Sequence, residues 1–270
     1  MIDINNLDII RFPGGELHIK CETKTDEVVC RITSSDDFMR LALYTDAHKH
    51  AFGEIPHTLI LPYFPYARQD RVANEGEPLS VKVFANLINS LGYKEVRVLD
   101  PHSDVTTALV DNIKVVPQHE IWGSYINNAV VGQVDLISPD AGALKKIYKL
   151  QSQAKDKVAN IRIGTKHRDT MTGQITGTSV DGKPVSRTAI IVDDICDGGR
   201  TFIELAKVIR QDYDRIELCV THGIFSKGMD VLFEHFDTVV TTNSFHAHYE
   251  TCAAWDFHVM QTVPTEEENG

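Results

Sequence analysis

Apolar residues fall into short runs rich in β-branched side chains, set between longer stretches where they recur every three or four positions. The runs at 58–61, 95–99, 134–138, 158–163, 188–192, 217–220, 239–242 and 257–263 predict strands, and another begins at Val115. Helical spacing predicts helices over 35–51, where Phe38, Leu41, Ala42 and Ala47 follow a Ser/Asp start, and over 79–91, 120–130 and 202–209. Strands alternating with helices imply an α/β fold whose parallel sheets are covered on both faces. Two such units are expected to meet near 138–142, giving 1–138, 139–255, and a last strand with an acidic tail over 256–270. Near the N-terminus, Arg11 to Lys20 reads as a turn and an alternating strand, with 28–32 as its expected partner.

The pattern changes character after Thr188-Ala189-Ile190-Ile191-Val192. That buried-type run ends on two carboxylates, Asp193 and Asp194, and then Asp197-Gly198-Gly199-Arg200-Thr201 leads into a helix. Glycines let backbone N–H groups turn inward where the helix dipole also favours an anion, so 197–201 is a candidate phosphate cradle. Asp193 and Asp194 beside it suit the hydroxyls of a sugar. The plainer alternative is a strand-to-helix turn capped by Asp and Thr side chains.

Composition narrows the partners. With 270 residues the chain can bury a sizeable core, and a formal net charge of -11 argues against a nucleic-acid or anionic-membrane surface. Phosphate must then be met at a local site. The cysteines at 21, 30, 196, 219 and 252 form no Cys-x-x-Cys pair, which speaks against a disulfide framework or zinc site and for a reducing cytoplasm. Cys196 is expected to be a small buried residue rather than a nucleophile. No secretory signal pattern opens the sequence and no apolar run is long enough to span a bilayer, so a soluble cytoplasmic protein is expected.

One stretch is specific. Pro62-Tyr63-Phe64-Pro65-Tyr66-Ala67-Arg68-Gln69-Asp70-Arg71 packs aromatics and prolines against a charged tetrad, and it resembles the signature of ribose-phosphate pyrophosphokinases, which make phosphoribosyl pyrophosphate. Residues 188–201 look like the phosphoribosyl-pyrophosphate loop of that family and of type I phosphoribosyltransferases. The resemblance implies two phosphoribosyltransferase-like α/β domains, the first serving ATP and the second the phosphoribose. It implies that Arg68, Gln69 and Asp70 bind ATP, and that Phe12 and Glu16, in a turn similar to the family's Phe-Ser-Asp-Gly-Glu, reach a neighbouring subunit's ATP. The Asp of that turn is Gly14 here. His102, after Asp100 in a turn resembling Asp-Leu-His-Ala, is implied as the ligand of a nucleotide-bound magnesium, with Asp100 and Asp140 as further metal candidates. Asp140 lies in Ser138-Pro139-Asp140-Ala141-Gly142, similar to the family's Ser-Pro-Asp-x-Gly turn, and the plainer alternative is a helix cap. Phosphoribose binding is implied for Asp140, Asp193, Asp194, Asp197, Gly198, Gly199, Arg200 and Thr201.

Catalysis is implied for Lys166 and Arg168, in a polar stretch 164–173 expected to be a mobile loop, where His167 replaces an arginine of the family pattern. Thr221-His222-Gly223-Ile224-Phe225-Ser226-Lys227-Gly228 resembles a further family turn. The expected reaction is attack of a 5-phosphoribose C1 hydroxyl on the β-phosphorus of ATP, with Mg2+, in a homo-oligomer of at least two subunits. Ribose 5-phosphate is the expected acceptor. The glycines at 198 and 199 with Arg200, where the family has Asp-Thr-Ala-Gly-Thr, suggest a wider loop and raise ADP-ribose as an alternative. A phosphoribosyltransferase would leave Arg68 to Arg71 and Lys166 without purpose, and a non-catalytic relative would not need Lys166 or His102. The family's basic segment is replaced by Val72-Ala73-Asn74-Glu75-Gly76-Glu77-Pro78, and the sequence stops where family members usually add a C-terminal helix, so weak control by ADP is expected.

Overall fold

Continuous apolar strands need cover on both faces, and the chain supplies it by returning each strand through a helix. The structure is a computed structural model that describes residues 1–168, 175–249 and 257–262, without the side chains of 166–168, 175–176 and 257. Met1–Val116 and Pro117–Thr262 are separate compact units.

In the first unit the elements are β1 (Ile2–Asp3), β2 (Ile9–Arg11), β3 (Leu17–Ile19), β4 (Glu27–Val29), α1 (Ser35–Phe52), β5 (Thr58–Ile60), α2 (Ser80–Ser90), β6 (Glu95–Leu99), α3 (Asp104–Leu109) and β7 (Ile113–Val116). A five-stranded sheet runs β1-β4-β5-β6-β7, parallel throughout. Helix α1 starts where Ser34 and Asp37 cap each other reciprocally, and it ends on Gly53 in the left-handed conformation. It buries Leu41, Tyr44, Thr45 and His48, and α2 buries Val81, Phe84, Ala85 and Ile88. The expected pairing of the N-terminal hairpin is corrected. β3 pairs antiparallel with β2, whereas Val28 and Val29 are fully buried in the parallel sheet. The tight turn through Gly15, at φ +97°, folds the chain back on the residues just before it and leaves β4 to the core.

The second unit contains α4 (Gln118–Ala129), β8 (Val134–Ser138), α5 (Leu144–Gln153), β9 (Val158–Arg168), β10 (Ile175–Val180), β11 (Thr188–Cys196), α6 (Arg200–Ile209), β12 (Arg215–Gly223), α7 (Asp230–Phe233), β13 (Thr238–Thr242) and β14 (Phe257–Met260). Its seven-stranded sheet runs β10-β9-β8-β11-β12-β13-β14, parallel except for β10. Because β8 pairs with both β9 and β11, the division falls before α4 and not after Ser138 as the sequence suggested. The last strand, expected as a separate appendage, belongs to the same sheet through β13. Buried Asp135 ties the sheet's flank together, accepting from the backbone of Val185 (2.8 Å) and Ser186 (3.2 Å) and from the Tyr213 hydroxyl (2.8 Å). Arg162 meets the same Tyr213 hydroxyl at 3.2 Å and Asp212 at 2.8 Å, so this buried polar group is fully engaged.

A second correction concerns 164–173. Residues 164–168 continue β9 and pair antiparallel with β10, from Gly164 opposite Val180 to Arg168 opposite Ile175. Glycine at 164 and the polar residues after it read as a loop, but the ladder with the unforeseen β10 supplies their hydrogen bonds. Residues 169–174 lie outside the described residues. No helix of the described residues is long and apolar enough to cross a membrane.

Candidate active site

In the first unit the candidate residues follow the carboxyl ends of two adjacent parallel strands, β5 and β6. After β5, Phe64 is 1% exposed and packs edge-on against Phe84 at 5.1 Å, which anchors the proline-aromatic stretch to the core. Tyr66 takes φ +63° and its carbonyl accepts from the Gln69 N–H at 2.8 Å, closing a turn. Arg68, Gln69 and Arg71 are therefore exposed and Asp70 half-buried. After β6, Asp100 is 2% exposed, adopts φ +34°, and donates its N–H to Val116 at 2.8 Å. His102 stands exposed two residues on, just before α3.

The Phe12–Glu16 turn closes through Phe12 N–H to Glu16 at 2.9 Å and Gly15 N–H to Phe12 at 2.8 Å. Phe12 is 50% exposed, at the tip of the β2–β3 hairpin. A side chain at Gly14 would begin 2.5 Å from Glu16 Oε2 and 2.9 Å from Oε1. The Glu16 carboxylate thus lies over the place where the resemblance would put an aspartate.

In the second unit the candidates lie at the carboxyl ends of β8, β9 and β11, all parallel, with the turn after β12 beside them. Asp140 Oδ1 accepts from the N–H of Gly142 (2.9 Å) and Ala143 (3.1 Å), so the plainer helix-entry role is occupied. Its other oxygen has no partner among the described residues. Strand β11 runs through Asp193 and Asp194 to Cys196, longer than the apolar run predicts. The two carboxylates differ. Asp193 is half-buried and its Oδ1 accepts from the Asp194 N–H at 2.9 Å, while Asp194 is 7% exposed and meets Lys146 Nζ at 3.5 Å. Cys196 is buried, and desolvation pushes its thiol up to about 12, which removes it as a nucleophile near neutral pH.

Helix α6 begins at Arg200 after Gly199 at φ +75°, with no side chain capping it. The Asp and Thr capping alternative is therefore not what forms here. Asp197 instead accepts from the Ser226 hydroxyl, and its carbonyl accepts from the Ser226 N–H at 3.2 Å. Ile224 and Phe225 N–H both reach the Cys196 carbonyl, at 2.9 and 3.1 Å, so 196–198 and the turn after β12 are held together. The expected extra space at the glycines is corrected by packing. A Cβ at 199 would meet Leu232 Cδ2 at 2.6 Å and one at 198 would meet Lys227 Cγ at 3.3 Å. Lys146, Ser226 and Lys227 were not among the candidates, because nothing in their spacing links them to residues some thirty to fifty positions away; only the sheet does.

The backbone of residues 166, 167 and 168 pairs with that of Thr178, Gly177 and Ile175 in the β9–β10 ladder. Among the described residues no three His, Cys, Asp or Glu groups stand together as a metal site. A dedicated protein cage is thus not formed by them. Single carboxylates at separate strand ends, Asp100 and Asp140 among them, have the oxygen chemistry that a hard cation takes.

Two phosphoribosyltransferase-like α/β units, each with its polar groups at strand carboxyl ends, define the class. A family model for the N-terminal domain of ribose phosphate pyrophosphokinase matches residues 1–92. The chain is 31% identical to a ribose-phosphate pyrophosphokinase of Gloeobacter violaceus, over 86% of this chain and 72% of that one. It is 28% identical to one from Pyrococcus furiosus, over 89% of this chain and 86% of the other. The solved phosphoribosylpyrophosphate synthetase of Mycobacterium smegmatis has the same fold, at TM-score 0.78 and 22% identity over 94% of this chain and 85% of that one. The chain belongs to the ribose-phosphate pyrophosphokinase family.

Proposed function

We propose that this chain transfers the pyrophosphoryl group of ATP to the C1 hydroxyl of a 5-phosphoribose, with ribose 5-phosphate as acceptor and phosphoribosyl pyrophosphate and AMP as products. The observation that carries the reading is the loop after β11: a carboxylate pair, then an uncapped helix start with glycine at its entry. In the reaction the C1 oxygen bonds to the β-phosphorus, the bond from that phosphorus to the α–β bridging oxygen breaks, AMP leaves, and the hydroxyl proton passes to solvent. Such transfer depends on alignment and charge neutralisation more than on covalent help.

Residues 197–201 hold the 5-phosphate through backbone N–H groups and the Arg200 fork, while Asp193 orients the ribose diol. Asp194, held by Lys146, fixes the strand end beneath it. Arg68 and Gln69 bind the nucleotide with Asp70, and Lys166 and Arg168 meet the charge that grows on the transferring group. His102, Asp100 and Asp140 are the residues that would hold Mg2+, which would supply charge neutralisation to the triphosphate. Mass analysis after mixing the chain with ATP, magnesium and ribose 5-phosphate tests the whole: AMP and a product heavier by one pyrophosphate are expected, and orthophosphate with ADP would overturn it.

One observation favours a second acceptor, ADP-ribose. Arg200 in the loop and Lys227 on the turn beside it are both exposed and form no ion pair among the described residues, which suits a diphosphate. The packing of Gly198 and Gly199 removes the argument from space, so ribose 5-phosphate stands first. Including ADP-ribose in the same assay separates the two by kcat/KM.

Phe12 at 50% and Ile10 at 58% exposure give the hairpin an apolar surface fit to be covered by a second copy. If Phe12 and Glu16 complete a neighbour's ATP site, specific activity falls on dilution as the assembly dissociates. Full specific activity in a sample shown to be monomeric by light scattering would reject this.

A further inference from the structure

The place of a side chain at 198 is taken from another part of the fold. Gly198 is the second residue of the 197–201 loop, and a Cβ there would sit 3.3 Å from Lys227 Cγ and 3.9 Å from Ser226 Oγ. Both come from the turn after β12, which is tied to the loop by the Ser226–Asp197 side-chain hydrogen bond and by Ser226 N–H to the Asp197 carbonyl at 3.2 Å. Phe225, at φ +49° and 8% exposed, sets the bend that carries residues 226 and 227 back over the loop. Lys227 is itself exposed and has neither a hydrogen bond nor an ion pair among the described residues. Its aliphatic stem therefore packs at the glycine, and its ammonium is three bonds beyond that Cγ. In a chain of net charge -11, a cation on a turn tied to this loop is suited to an anionic ligand.

We propose that Lys227 is a specificity-determining residue of the acceptor site, supplying from the turn after β12 the phosphate ligand that the loop lacks at Gly198. The inference rests on reading 197–201 as the phosphate loop. The ligand class is a phosphomonoester or diphosphate on a ribose 5-position, and the contact is a single charge-assisted hydrogen bond. Gly198 and Lys227 form one unit: the absent side chain at 198 is what admits the lysine stem.

Calorimetric titration of ribose 5-phosphate into the full chain without ATP tests this independently of turnover. Lys227→Ala is expected to weaken binding about tenfold or more, as loss of one charge-assisted contact does. Lys227→Arg should stay within about threefold of wild type, and ATP affinity should be unchanged in both. In turnover, Lys227→Ala should raise KM for the acceptor with kcat nearly unchanged. Adding Gly198→Thr to Lys227→Ala should recover part of the lost affinity, whereas Gly198→Thr alone should weaken binding because its side chain meets the lysine stem. Equal binding by Lys227→Ala and wild type overturns the proposal. So does Lys227→Arg as weak as Lys227→Ala, which would show that the stem's packing matters and the charge does not. Wild-type protein that binds neither ribose 5-phosphate nor ADP-ribose overturns the underlying reading of the loop, a result distinct from a silent Lys227.

Discussion

Lys166→Ala is expected to lower kcat by well over tenfold while leaving ATP affinity within about twofold of wild type. The reason is that a cation meeting charge only as the β-phosphoryl group transfers stabilises the transition state and not the ground state. By analogy with loss of an oxyanion donor, such a group is worth on the order of 3–4 kcal/mol, or two to three powers of ten in rate. The fold strengthens the expectation. Residue 166 lies in the paired part of the β9–β10 ribbon, opposite Thr178, and not in a free loop, so its backbone position is set before substrate binds. Arg168 is paired opposite Ile175 in the same ladder. Single-turnover kinetics with measured ATP binding check the assignment, and a variant keeping more than about a tenth of wild-type kcat would remove Lys166 from that role.

Period and caps made most of the framework legible. The run 58–61 and the helix from Ser35 follow from patterns that local physics enforces. What stayed hidden depends on which strand lies next to which. Val28 and Val29 were assigned to a hairpin because an alternating strand with a turn needs a partner, and the parallel sheet that claims them is a long-range choice. β10 was missed because Thr176, Thr178 and Ser179 give its strand a polar pattern, and its identity comes from pairing along β9.

At the site the same division holds. The tetrad Arg68 to Arg71 and the loop 197–201 are contiguous and could be read from the sequence. Lys146 beside Asp194, and Ser226 with Lys227 beside Asp197 and Gly198, could not, because each pair is brought together by parallel strands. The packing also reversed one physical inference. Two adjacent glycines look like open space in a sequence, yet here one is lined by a lysine stem and the other by Leu232. Glu16 lying over Gly14 is the same phenomenon in the first unit: a missing side chain is answered by a neighbouring one.

Gly199→Ala is expected to be the most damaging single-methyl change in the second unit, lowering its melting temperature by roughly 5–15 °C and acceptor affinity by more than tenfold. Two costs combine. Gly199 sits at φ +75°, where a side chain costs about 1–2 kcal/mol, and its Cβ would stand 2.6 Å from Cδ2 of Leu232. Leu232 is 1% exposed, so it has little room to retreat, and overpacking of this kind costs about 1–3 kcal/mol. The sum of about 2–5 kcal/mol converts to that temperature shift for a unit of this size. Relief by moving the backbone would carry residues 197–201 away from the start of α6, where the proposed cradle needs its N–H groups to converge on one phosphate. Leu232→Ala in the Gly199→Ala background separates the two costs, since it removes the clash and leaves the dihedral strain. The double variant should therefore be less destabilised than the sum of the two singles, by about 1 kcal/mol or more. Thermal melts of the three variants with ribose 5-phosphate titrations decide it. Strict additivity with unchanged acceptor binding would mean that the loop tolerates a side chain at 199 and that its glycine is not what shapes the cradle.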